Sequence, residues 1–363
     1  MVTNVAGRTA DRPLSALRSG AAAGAGASGL LSRPTSRGTG LGVAVVGLAA
    51  MALASVLVGY QGLSIADVHA AYFAYSGSDT DLVVRHLRVP RTLAGLAVGA
   101  ALGAAGVVIQ GVTRNPLGGP GILGVNAGAS LGAVLAIGVL GTSALVGYVW
   151  FAFLGAALAT VIVYMVGSLG LGGASPVKLA LAGAAVSALL GSVVSAITLT
   201  DRSSLDSYRF WMVGSLAGAD MTALWQAIPL LVVGIVVSVS LLRSLNALAL
   251  GDDLARSLGS RVWVTRAAGG VAVVLLAGTA TAVAGPIGFV GVAVPHIARA
   301  IAGPDYRWVL AWTVVLAPLL LLGADIIGRI VARPGELEVG IVTALLGAPF
   351  FIYLVRNRRV AGL

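Results

Sequence analysis

The sequence predicts an all-α, polytopic membrane protein of about ten transmembrane helices, and three observations predict it. Hydrophobic residues make up 58% of the chain and charged residues 10%, far from the half-apolar, quarter-charged mix of soluble domains. Apolar stretches of about 20 residues, long enough to cross roughly 30 Å of hydrocarbon, recur from residue 41 onward. Glycine occupies 51 of the 363 positions, often at small-xxx-small spacing, as in Gly99 and Gly103 or Gly128 and Gly132. Such spacing lets helix backbones approach closely where lipid supplies no hydrophobic drive for association.

Residues 1–40 are rich in Gly, Ala, Ser and Arg, without helical apolar periodicity, and read as a disordered cytoplasmic tail. Arg12 and Arg18 resemble the basic start of a signal peptide, but residues 20–29 have too few large apolar side chains for its hydrophobic region. Residues 41–358 form one membrane domain. Its clean spans are 41–60, 92–111, 123–140, 145–169, 179–199, 224–242 and 267–284. Three more are interrupted: 287–302 by Pro295, His296 and Arg299; 309–327 by Asp325; and 339–354. Polar breaks in a span are tolerated where protein or a water-filled cavity surrounds the backbone.

An even number of spans puts both termini on one side of the membrane. If that side is cytoplasmic, sixteen of the 23 basic residues fall inside, as the positive-inside rule requires. The exceptions, Arg85, Arg88, Arg91, Arg202, Arg209, Arg329 and Arg333, gather in three external segments. Dispersed at helix ends, the net charge of +10 forms no stripe for nucleic acid.

Gly/Pro breaks punctuate two places five spans apart: Asn115 to Gly121 between spans two and three, and Gly285-Pro286-Ile287-Gly288 between spans seven and eight. Corresponding breaks on opposite faces have the parity of an inverted internal repeat, an architecture common in transporters.

Between spans six and seven, residues 251–259 read as a short cytoplasmic helix. Asp252 or Asp253 is placed to cap its N-terminus, Arg256 lies toward its C-terminal carbonyls, and Gly259 is a left-handed stop. Leu254 and Leu258 share one face with Ala255 beside them, an apolar knob suited either to a groove of a partner or to lipid headgroups.

Four stretches resemble the FecCD-type permeases of type II ABC importers. The first runs Arg88-Val89-Pro90-Arg91-Thr92-Leu93, through Gly99-Ala100-Ala101-Leu102 to Gln110, Asn115-Pro116-Leu117 and Gly121-Ile122-Leu123-Gly124. The others are Leu250-Gly251 through Ala255-Arg256 to Leu258-Gly259; Gly285 to Gly291 with Pro295, His296 and Arg299; and Gly323-Ala324-Asp325 with Gly340 to Pro349. The resemblance implies a ten-helix, cobalamin-permease-like subunit paired with a copy of itself or a close paralogue around a translocation path. It further implies two cytoplasmic ABC ATPases carrying ATP and Mg, an external substrate-binding protein, and a metal chelate as cargo, with a ferric siderophore leading over heme or cobalamin. No cofactor is then expected on this chain.

The resemblance assigns roles residue by residue. Arginines matching Arg88, Arg91 and Arg329 meet binding-protein glutamates in the similar cobalamin permease, so these three are expected to dock the binding protein. Headgroup anchoring is the plainer reading of arginines at helix ends. Gly251, Asp252, Asp253, Leu254, Ala255, Arg256, Leu258 and Gly259 are expected to couple to the ATPase. Asn115, Pro116, Ser175 and Pro176 are candidate gate residues, although Ser175 and Pro176 depart from the family's small hydroxyl run. His296 lacks partners at ligand spacing in the sequence, so no metal site is expected there.

Two other classes bear on the reading. An ion-coupled secondary transporter normally needs intramembrane carboxylates, and only Asp325 falls inside a predicted span. An intramembrane serine hydrolase would use Ser130 in Gly128-Ala129-Ser130-Leu131-Gly132, but that pattern needs a strand-turn-helix context and here lies in a Gly/Ala-rich helix. The chain has no cysteine and no phosphate-binding G-x-x-x-x-G-K-[ST] loop.

Overall fold

The computed structural model describes residues 29–31, 33–59, 62–138, 141, 145–169, 175–200 and 202–356. Among them, thirteen helices follow in order: α1 Pro34–Leu57, α2 Ile65–Phe73, α3 Asp79–Thr113, α4 Val125–Gly138, α5 Leu145–Ser168, α6 Pro176–Thr200, α7 Arg202–Met212, α8 Met221–Ala249, α9 Asp252–Ser257, α10 Val262–Ala284, α11 Val290–Ala302, α12 Tyr306–Val331 and α13 Val339–Arg356. Seven helices are long and apolar enough to span a membrane, and three shorter apolar ones, α4, α11 and α13, complete the ten expected. The remaining helices, α2, α7 and α9, connect spans.

Local chemistry sets the boundaries. Ser64 and Ser78 each close a capping box, with Asp67 and Asp81 returning the bond to the cap backbone. In α2, the Ser64 backbone N–H, and then its hydroxyl, holds the Asp67 carboxyl below its ordinary value. Asp220 and Asp305 cap α8 and α12 through their side chains. At the end of α3, Arg114 turns left-handed (φ 48), and its N–H and that of Asn115 return to the Gly111 and Gln110 carbonyls. That pair of bonds satisfies acceptors the helix would otherwise leave bare.

Two starts differ from the sequence reading. The first span begins at Pro34, within the segment read as tail, because Pro is preorganised for a helix's first turn and its missing N–H costs no bond there. The described part of that segment is also held in place: the Leu30 and Leu31 N–H groups donate to the Ala300 and Ile301 carbonyls at the end of α11. Arg8, Arg12 and Arg18 lie outside the described residues. The second span's helix starts at Asp79, well before residue 92, because Arg85, Arg88 and Arg91 sit inside the helix and find partners there.

Helix α3 is the axis of the bundle, buried along nearly its whole length from Pro90 to Thr113. Its glycines explain how. A Cβ at Gly99 would lie 2.6 Å from Pro318 Cα, one at Gly103 2.7 Å from Ala317 Cβ, and one at Gly106 would strike the Gly291 carbonyl oxygen. Close backbone approach therefore joins α3 to α12 and α11. The same device joins α4 to α5, where added carbons at Gly128 and Gly132 would collide with the Gly155 and Phe151 carbonyls. The G-x-S-x-G pattern around Ser130 is thus part of a helix-packing surface. Peripheral helices expose apolar side chains, such as Val43 and Val46 on α1 and Leu181 and Leu189 on α6.

Both breaks noted in the sequence are bracketed by residues of positive φ. Left-handed Arg114 and Gly124 bracket the turn from α3 to α4, and Gly285 and Phe289 bracket the turn from α10 to α11. Each break follows a helix containing a π turn, Val83–Arg88 in α3 and Val274–Gly278 in α10, and precedes a short span.

Candidate functional site: the two ends of the bundle

At one end, α1, α3 and α12 are joined by a buried charged cluster. Arg91 donates from Nε and Nη2 to both oxygens of Asp325 at 2.8–3.1 Å, and from Nη1 to Glu336 at 2.7 Å. Arg329 pairs with Asp325 at 3.0 Å and donates to the Ser55 and Val58 carbonyls and the Ser55 hydroxyl at 2.8–3.0 Å. Arg88 reaches the Val58 carbonyl at 2.8 Å, and Arg333 reaches that of Gly59 at 2.7 Å. The carbonyls of Ser55 and Val58 belong to the last turn of α1 and the residue beyond it, whose acceptors lack intrahelical partners, so guanidinium groups cap that helix.

The sequence reading puts Arg88, Arg91 and Arg329 on an external surface. The structure brings all three together but buries them: Arg88 is 9% exposed, Arg91 8% and Arg329 1%. Beside these buried arginines Glu336 is open, with 38% of its side chain accessible. Asp325, itself 1% exposed, is engaged by two guanidiniums, an arrangement of a structural ion pair and not of a carboxylate free to carry an ion. The side chain of Arg202 lies outside the described residues. Arg85 instead stacks over Tyr72 and Tyr75 and donates to the Ala71 carbonyl at 2.6 Å.

At the other end, α9 projects between α8 and α10. Leu250, Leu254 and Leu258 are 60%, 56% and 66% exposed, and Trp263 at the start of α10 is 72% exposed, forming an apolar face that the described residues leave uncovered. Three details of the sequence reading are corrected. Ala255 is fully buried, because a helix this short rests on its own bundle through its smallest side chain, so the knob consists of leucines. The N-cap is Gly251 (φ 108), with no side-chain cap bond; a Cβ would be strained in that conformation. Asp252 and Asp253 face basic groups in place of free amides. Arg256 pairs with Asp253 at 2.9 Å, and Asp252 accepts two bonds from Arg266 at 3.0 and 3.1 Å. Gly259 is left-handed (φ 81), the stop expected.

The candidate gate residues lie at this same end. Asn115 holds the turn after α3, its Oδ1 accepting the Leu117 N–H at 3.0 Å. Pro116 follows in that turn, whereas Ser175 caps α6 by accepting the Lys178 N–H at 3.3 Å, with Pro176 opening the helix. Sequence reasoning missed a neighbouring cross-link: Gln110 donates to the Gly291 and Val292 carbonyls and accepts from Arg299. The signal was present as Gln110 and Arg299 inside two predicted spans, where a polar group needs a partner. His296 packs edge-on against Phe350 with ring centroids 6.2 Å apart, and no group of three metal-ligating side chains forms among the described residues.

Comparison with known proteins agrees with this architecture. Residues 47–357 match the model of the FecCD transport family. The chain is 45% identical over 309 residues to the ferric enterobactin transport system permease protein FepD of Escherichia coli, covering 85% of this chain and 92% of that protein. It is 40% identical over 304 residues to the probable siderophore transport system permease protein YfiZ of Bacillus subtilis, covering 84% and 91%. Among solved structures, a chain from a metal-chelate type ABC transporter in an inward-facing conformation superposes with a TM-score of 0.77 at 29% identity, covering 88% of this chain and 99% of that one.

Proposed function

This chain belongs to the FecCD transport family, and from that premise we propose how it works as the multi-pass membrane permease subunit of an ABC importer for a metal chelate. It carries no chemistry of its own; ATP and Mg are bound by a partner ATPase. A ferric siderophore is the cargo best supported, since the relatives named above include a ferric enterobactin and a siderophore permease. A second permease copy or close paralogue completes the path. The orientation follows from charge: both termini and α9 lie in the cytoplasm, and the Arg91–Asp325 cluster faces outward.

The single observation that carries the mechanism is the exposed face of Leu250, Leu254 and Leu258 on a short helix that buries Ala255 against the bundle. Such a face, set between two spans, fits a groove on an ATPase. At the outer end, Arg88, Arg91 and Arg329 bring three guanidiniums against the two carboxylates of Asp325 and Glu336. The excess positive charge supports docking of an acidic binding protein, whose carboxylate would take the exposed place of Glu336 at Arg91. Asn115, Pro116, Ser175 and Pro176 shape the inner gate.

The test is transport by the assembled importer in proteoliposomes. ATP-dependent accumulation of radio-iron from ferric enterobactin or ferric citrate, abolished by vanadate, is expected. Accumulation driven by a proton or sodium gradient without ATP would overturn the reading.

A further inference from the structure

We propose that Asp252 is a positioning residue that welds the coupling helix α9 to α10, so that a displacement of α9 moves the seventh span and not merely a loop. The inference rests on the reading of α9 as the ATPase contact and adds how its motion enters the membrane domain.

Helix α9 has fewer than two turns, and Ala255 is its buried residue. One alanine against a bundle cannot by itself transmit a sideways force, because an apolar contact has no preferred direction. The directional link is polar. Arg266, in the second turn of α10, donates from Nη2 to both oxygens of Asp252, and the two side chains are 10% and 26% exposed. That is a largely screened, charge-assisted contact between two helices. The other neighbours are weaker: Arg256 stands 3.9 Å from Asp252 but bonds Asp253, and Arg114 stands 3.9 Å away with 43% of its side chain exposed. Exposed pairs at such distances contribute little to a resting structure. The Arg266 contact therefore determines where α9 sits, and Arg114 places Asp252 beside the left-handed end of α3.

What lies beyond Arg266 suits a moving part. Helix α10 contains the π turn Val274–Gly278, then ends at left-handed Gly285, where the chain breaks before α11. π turns interrupt the regular bond ladder and recur at functional sites. A rigid link at one end of α10 delivers motion to a helix with a built-in irregularity and a break at its far end.

The experiment compares Asp252→Asn, Arg266→Gln and the double variant in the assembled importer, reading ATPase co-purification and the ratio of iron imported to ATP hydrolysed. Each single variant should retain the ATPase and keep hydrolysing ATP while that ratio falls about tenfold, with the double no worse than either single and Asp252→Glu partly restoring it. An unchanged ratio in the single variants, losses that multiply in the double, or loss of the ATPase itself would overturn the proposal. A variant that does not accumulate in the membrane likewise overturns it, because the role assigned is positioning and not folding. The underlying reading is tested separately by Leu254→Asp with Leu258→Asp. If those leucine substitutions release the ATPase while Asp252→Asn pumps normally, this inference alone fails; if they do not release it, the reading of α9 fails.

Discussion

Arg91 and Asp325, 234 residues apart, meet in a two-pronged ion pair that ties α3 to α12 inside the bundle. Asp325 also holds Arg329, so one carboxylate neutralises two buried guanidiniums. Removing it leaves Arg329 without a carboxylate and Arg91 with Glu336 alone, a loss of roughly 3–5 kcal/mol by the usual cost of breaking a buried pair. Asp325→Ala should therefore unfold in detergent at a markedly lower temperature, and adding Arg329→Met should recover part of the loss. Thermal unfolding of the purified single and double variants checks this; a single variant with wild-type stability would show that water replaces the carboxylate.

Packing of α4 on α5 offers a second measurement. Added carbons at Gly128 and Gly132 would meet the Gly155 and Phe151 carbonyls, rigid backbone and not yielding side chains. Gly132→Leu is expected to force the helices apart and reduce the amount of folded protein extracted from membranes, while Ser130→Ala, on the same helix, leaves uptake intact. Loss of uptake in Ser130→Ala would reopen a chemical role for that hydroxyl.

Topology follows from the charge distribution. Reporters fused after Tyr75 and Asp206 should be accessible from outside, and those after Arg243 and at the C-terminus from inside. An external C-terminus would invert every assignment of the two ends.

The docking proposal makes a salt-dependent claim. Wild-type association with the binding protein should weaken as salt rises, and Arg88→Glu with Arg91→Glu should weaken it further and abolish uptake, read only in variant protein whose thermal unfolding and ATPase co-purification are measured alongside, because both side chains are buried. Because Arg91 is internally paired, Glu336→Gln is the gentler probe: by freeing one arm of Arg91 it should strengthen association. Unchanged association in both variants at low salt would restrict the cluster to a structural role.

Energy coupling is tested at the apolar face. Leu254 and Leu258 are more than half exposed, and covering each contributes roughly 1.5–3 kcal/mol to a reversible contact. Leu254→Asp with Leu258→Asp should leave the permease in the membrane, since both side chains stand clear of the core, yet lose the ATPase on purification and lose uptake. Normal uptake in that variant would place the ATPase contact elsewhere on the same end.

The spans, their order and their breaks were legible in the chain itself, because hydrocarbon thickness sets the length of an apolar run and the backbone must satisfy its own bonds in lipid. So were Gly259 as a left-handed stop and Gly99, Gly103, Gly128 and Gly132 as close-approach positions, since both depend on glycine's missing side chain. What only the tertiary structure decided was which polar groups face inward. Arg88, Arg91 and Arg329 look in sequence like the boundary of a membrane, yet they are buried, because Asp325 and the last carbonyls of α1 arrive from distant parts of the chain to receive them. Asp252 looks like a helix cap, yet Arg266, one connection away, claims it. A charge is cheap to bury only beside its partner, and hydropathy read along a chain cannot see a partner brought near by folding.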